Sequence, residues 1–171
     1  MSHRHRNYIP ALFLEASVFN FYNYGKAGKK QRDTRILFDD IKSGKYAAYT
    51  SDAVIGELAG APKEMYDEMK RLIDTYTIKT LPDNPLVDQL ADIYIAKHII
   101  PLKYREDAVH IATATINSLD CVVSFNMGHI VKPKTMIGAG FINLREGYRW
   151  IGLATPTEII DYDAAPPHGG V

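Results

Sequence analysis

Three acidic residues stand in apolar surroundings: Glu15 in "LFLEAS", Glu57 in "SDAVIGELAG", and Asp107 at the head of "DAVHIATATINS". A carboxylate on an apolar element is costly unless a cation partners it. Carboxylates that cluster repel one another unless one is protonated or a cation bridges them. Asn126, just past "CVVSF", adds a neutral side-chain oxygen. An oxygen-rich set without cysteine or paired histidines suits magnesium or manganese. Such an ion lowers the pKa of bound water and stabilises charge on a phosphate undergoing in-line displacement, often as a pair of ions about 3.5–4 Å apart. The chemistry expected of these residues is therefore phosphodiester hydrolysis by metal-activated water.

These side chains meet only if the elements carrying them bring them to one place. "PALFLEAS" reads as a first strand ending near Glu15, and "SVFNFYNY" as a short helix. "RDTRILFDDIKSG" is a helix with a glycine stop, "YAAYTS" a second strand, and Asp52 to Leu58 a helix that "GAP" interrupts. "KEMYDEMKRLIDTY" resumes as an amphipathic helix and "YTIKTL" is a third strand. Asn84 followed by Pro85 pairs a cap with a first-turn proline, starting a helix that runs to about Ile99. "REDAVHIATATINS" is a further helix, "CVVSF" a fourth strand, "KTMIGAGFINLREGY" a helix weakened by two glycines, and "WIGLA" a short fifth strand. Thr155, Pro156 and Glu158 form the capping-box pattern of a last helix.

The alternation indicates an α/β fold, a three-layer α/β/α arrangement with a mainly parallel sheet of about five strands. Sites in such sheets form beyond the carboxyl ends of the strands. Glu15 and Asn126 lie at such ends. Glu57 shares a helix face with Val54, Leu58 and Ala61 and so points along the apolar stripe. Asp107 falls in a first helical turn, where the helix dipole favours negative charge. Asp120 precedes the fourth strand, at the opposite end of the sheet, and reads as structural.

The chain of 171 residues is 46% hydrophobic and 23% charged with no net charge, the balance of one globular domain. We expect a flexible start over residues 1–8, a single domain over 9–163, and a disordered Pro/Gly-rich tail over 164–171. Cys121 is alone, so no internal disulfide forms, and no Cys/His pair has zinc spacing. No apolar stretch is long enough for a membrane span and the start is polar, so a cytoplasmic protein is expected.

Each residue also has an ordinary reading. Asp107 serves equally as a first-turn helix carboxylate, Glu57 as a partner of a lysine or a side chain reaching solvent at its helix end, Glu15 as a cap of the helix behind it, and Asn126 as a turn residue. His129 is a candidate substrate contact or a surface histidine in a turn. Lys29 and Lys30, in a basic run with Lys26, Arg32 and Arg35, either contact phosphates or form a solvated loop. Tyr22, Tyr24 and Tyr104 offer faces for unpaired bases or partial core.

Over about residues 12–160, and most of all in "DAVHIATATINSLDCVVSFNMGHI", the chain resembles the PIN domain family of VapC-type toxins and RNA-processing nucleases. The resemblance implies a metal-dependent endoribonuclease, the toxin of a type II toxin–antitoxin pair. Its acidic ligands for magnesium or manganese fall on Glu15, Glu57 and Asp107, with Asn126 at a fourth position often held by aspartate. Glutamate at the first position and asparagine at the fourth match one branch of the family. Ser17 matches a small hydroxyl residue two positions after the first acid; Ala16 stands where a hydroxyl residue is expected. RNA as substrate, an antitoxin as partner and a homodimer are further implications. A catalytically silent PIN-like domain that binds RNA or protein is the competing reading, kept open by Asn126.

Overall fold

The computed structural model describes residues 8–24 and 28–160. Lys26, the expected flexible start except for Tyr8, and the expected tail lie outside these residues. Five strands form one sheet: β1 (Ala11–Leu14), β2 (Ala47–Ser51), β3 (Lys79–Leu81), β4 (Cys121–Val123) and β5 (Gly152–Ala154). All neighbouring pairs are parallel, in the order β3-β2-β1-β4-β5. The central β1 places Leu12 beside Ala48 on one side and Cys121 on the other.

Among the described residues eight helices complete the chain: α1 (Ala16–Asn23), α2 (Lys29–Lys42), α3 (Asp52–Ala59), α4 (Lys63–Thr75), α5 (Pro85–Ala96), α6 (Arg105–Ile116), α7 (Pro133–Arg145) and α8 (Pro156–Ile159). The result is a three-layer α/β/α molecule with the PIN-like arrangement. Helices cover both faces of the sheet, so β1 reads as a continuous apolar run and Leu12, Phe13 and Leu14 are all buried. None of the helices in the described residues is long and apolar enough to cross a membrane.

Local chemistry accounts for where the helices begin. The Asn84 side chain accepts the Leu86 amide at 2.9 Å ahead of Pro85, which satisfies one of the orphan donors of a helix start. Thr155 and Glu158 close a reciprocal capping box on α8, with the Thr155 amide 2.7 Å from Glu158 Oε2.

Two expectations are amended. Helix α5 stops at Ala96, short of Ile99, because His98 turns left-handed (φ 57°). The His98 amide then donates to the Ile95 carbonyl and that of Ile99 to the Tyr94 carbonyl, each at 2.9 Å, a Schellman closure. Helix α7 runs unbroken, and its glycines are there for close approach. A Cβ on Gly140 would lie 2.3 Å from the Trp150 ring, and one on Gly138 would lie 2.5 Å from Ile99 Cδ1.

Candidate metal centre

The strand order, which depends on contacts distant in sequence, puts the ends of β1 and β4 side by side. Chain direction reverses its course across the sheet between these two strands, and α/β sheets open a crevice at such a point. Glu15 leaves β1 there and becomes the N-cap of α1. Its side chain is buried, and Oε2 accepts the Ser17 amide at 3.1 Å, the Ser17 hydroxyl at 2.5 Å and the Ser124 hydroxyl at 2.8 Å. The two serines in turn hold the end of β4. Ser17 Oγ accepts the Phe125 amide and Ser124 Oγ accepts the Asn126 amide, both at 2.9 Å.

Glu57 approaches from α3, half-buried, and its partner is a histidine. Glu57 Oε1 lies 2.6 Å from His110 Nε2. His110 sits one helical turn beyond Asp107 on α6, so both project from the same face, and it is 1% exposed. One ligand-type atom each from Glu15, Glu57 and His110 all fall within 4.8 Å of one another. His110 Nδ1 is buried with no hydrogen-bond partner. Burial alone would lower the His110 pKa, but the hydrogen bond and charge of Glu57, with the charges of Glu15 and Asp107, outweigh it and hold it above the usual histidine range.

Asp107 stands beside this trio. Burial first, then the charge of Glu15, push its pKa above the usual aspartate range, against the pull of His110, His129 and Asn126. Asn126 Nδ2 donates to Asp107 Oδ2 at 3.2 Å, while Asn126 Oδ1 accepts the His129 amide at 3.1 Å. The side chain thus offers Asp107 a donor, and its oxygen organises the turn; the sequence reading had expected an oxygen facing the site. Among the described residues no lysine or arginine forms an ion pair with Glu15, Glu57 or Asp107.

The remaining candidates separate. The His129 ring stacks on Tyr104, with centroids 3.5 Å apart. Lys30 reaches over the rings of Phe21 and Phe125, beside the end of β4. Lys29 points elsewhere, 2.8 Å from the buried Asp33, which also accepts the Thr157 hydroxyl at 2.6 Å. Ser17 is engaged with Glu15 and the Phe125 amide, as above. A cleft of about 620 Å³ opens next to Glu57 and His110, its rim carrying Asp83, Asp88, Arg105 and Glu106.

Sequence reasoning missed His110. In "AVHIATA" a lone histidine reads as core, and the signal that marked it was its spacing of one helical turn from Asp107. A metal fits what is present: converging carboxylate oxygens with no lysine or arginine partner among the described residues, and the His110 imidazole beside them.

No family model and no curated protein sequence matches this chain. Among solved structures it is similar to VapC20 of Mycobacterium tuberculosis, a toxin that cleaves the sarcin-ricin loop. The TM-score is 0.54 at 14% identity, covering 69% of this chain and 92% of that one. At that identity the likeness is one of fold, over the 69% of this chain that the match covers.

Proposed function

We propose that this protein is a divalent-metal-dependent endoribonuclease. The observation that carries the reading is the convergence of Glu15, Glu57 and His110 within 4.8 Å, with Asp107 alongside, at the switch point between β1 and β4. Glu15, Glu57 and Asp107 would hold a magnesium or manganese ion, the metals that an oxygen donor set suits. When bound, the ion supplies an activated water and charge stabilisation for phosphodiester hydrolysis.

The protein's own groups do the positioning. Ser17 and Ser124 fix one oxygen of Glu15 and leave the carboxylate no freedom to rotate away. His110 orients Glu57, as partners of metal-bound carboxylates commonly do. Asn126 holds Asp107 by its amide. One of the three carboxylates would also orient the attacking water.

The fold likeness to a ribonuclease toxin supports RNA as substrate and membership of a type II toxin–antitoxin pair, with a cytoplasmic antitoxin as inhibitor. Ile137, Phe141 and Leu144 form an exposed apolar stripe on α7, a surface suited to homodimerisation. The glutamate-and-asparagine branch of the PIN family is the subgroup in which we place it. The silent-domain reading draws on Asn126, whose donor faces Asp107 where a further ligand oxygen would complete a second metal site. Cleavage of a mixed RNA panel with added manganese or magnesium, a chelator control and Asp107→Asn decides between them. Metal-dependent cutting lost in the variant establishes the nuclease. No cutting, with no metal bound in calorimetry, establishes the silent domain.

A further inference from the structure

Two aromatic pairs, each with a lysine, stand beside the carboxylates, and neither is explained by the metal centre. The first is Phe21 and Phe125, with ring centroids 4.6 Å apart and the Lys30 ammonium 5.2 Å and 5.5 Å from the two rings. The second is Tyr104 and His129, stacked at 3.5 Å, with Lys103 4.9 Å from the Tyr104 ring. The two pairs adjoin different carboxylates of the cluster. Phe21 is one helical turn beyond Ser17, and the Phe125 amide bonds Ser17 Oγ, so this pair adjoins Glu15. Tyr104 is the N-cap of α6, three residues before Asp107, and the His129 amide bonds Asn126, so the other pair adjoins Asp107.

Packing accounts for them only in part, through Tyr104, which rests against the core. The core aromatics Phe13, Phe19, Phe38 and Tyr94 are at most 2% exposed, whereas all four of these residues are partly exposed. Phe21 and Phe125 lie outside the apolar core altogether. Partly exposed rings held against one another are platforms on which unpaired bases stack whatever their identity. A lysine beside each platform is placed for the adjoining phosphates and offsets the acidic cluster, which would otherwise repel a polyanion. A paired base inside a helix has no free face to offer, so the arrangement selects single strands.

Building on the nuclease reading, we propose that Phe21/Phe125 with Lys30 and Tyr104/His129 with Lys103 are two subsites. Each takes an unpaired base of a single-stranded RNA, so that the strand crosses the carboxylate cluster between them.

The test is binding in chelator, where no cleavage occurs, of a fluorescein-labelled single-stranded oligoribonucleotide and of the same strand in a duplex. The variants are Phe125→Leu, Tyr104→Leu and the double substitution, with thermal melting to show that each is folded. Lys103→Gln, on an exposed side chain, provides a readout independent of packing. We expect each leucine variant to bind the single strand about ten-fold more weakly, with losses that accumulate in the double variant and little change for the duplex. Lys103→Gln should lower the slope of log affinity against log salt by about 0.7. Single-strand affinity unchanged in folded leucine variants, equal losses for single strand and duplex, or no single-strand binding by the parent protein would overturn the subsites. Cleavage by the parent protein separates the two readings. Cutting with ring variants that bind normally leaves the nuclease and removes the subsites. Ring-dependent single-strand binding without cutting under either metal does the reverse.

Discussion

The two ends of the β1–β4 pair each hold a carboxylate, and the surroundings make them different chemical objects. At the amino end Asp120 accepts the Ala11 amide at 2.7 Å and the Tyr8 hydroxyl, and pairs with Arg149 at 3.2 Å. Burial works against its charge, but these partners prevail and hold its pKa below the usual range. At the carboxyl end Glu15, Glu57 and Asp107 share a crevice with no lysine or arginine partner among the described residues, and Asp107 is held above that range. One end is satisfied within the protein. The other has only the His110 imidazole as a basic partner, and a perturbed carboxylate in a cleft is a mark of function.

The largest expected difference is in catalysis. Asp107→Asn or Glu15→Gln should reduce metal-dependent RNA cleavage about a hundred-fold or more, while Asp120→Asn leaves the rate per folded molecule unchanged. Equal loss from all three in a cleavage assay would dissolve the contrast between the ends. Next comes the response to metal. Saturating manganese should stabilise the parent protein, by roughly 2.7 kcal/mol at a hundred-fold excess over Kd, and stabilise Asp107→Asn much less. Scanning calorimetry with and without chelator measures it.

Removing the structural carboxylate should show the complementary loss. Asp120→Ala leaves the Ala11 amide without its charged acceptor and should cost about 1–3 kcal/mol in urea unfolding, with metal binding intact by calorimetry. The smallest effect is in pH dependence, and its sign differs between the ends. Asp107, with its pKa raised in the folded state, binds its proton more tightly there than when unfolded. Its charge therefore erodes metal-free stability as pH rises from the ordinary carboxyl pKa through the raised one, and Asp107→Asn should stabilise the metal-free protein at neutral pH. Asp120 has a depressed pKa, so its contribution is present above the ordinary value and lost as pH falls through the depressed one. Asp120→Asn should flatten that acid arm. Urea midpoints across about pH 3 to 7 compare the two.

Much of this was legible locally. The Asn84–Pro85 start, the Thr155–Glu158 box and the apolar run of β1 each appear where the pattern put them, because caps and strand burial depend on a few neighbouring residues. The end of α5 was less so: a left-handed His98 is an uncommon conformation for a residue other than glycine, and nothing in "AKHII" announces it. The glycines of α7 misled for a related reason. Gly138 and Gly140 weaken a helix by propensity, yet the Trp150 ring and Ile99 require their lack of a side chain, and both lie outside the helix.

The sequence by itself determined the order of the elements, the helix starts at Asn84 and Thr155, and which residues stand at the carboxyl ends of strands, since each follows from hydrogen bonding and periodicity within a short window. Only the tertiary structure decided that β4 lies beside β1, that Ser124 therefore reaches Glu15, and that His110 is the residue meeting Glu57. Strand order and helix–helix approach are chosen by burial across the whole chain, and the character of each carboxylate depends on the partners that burial brings to it.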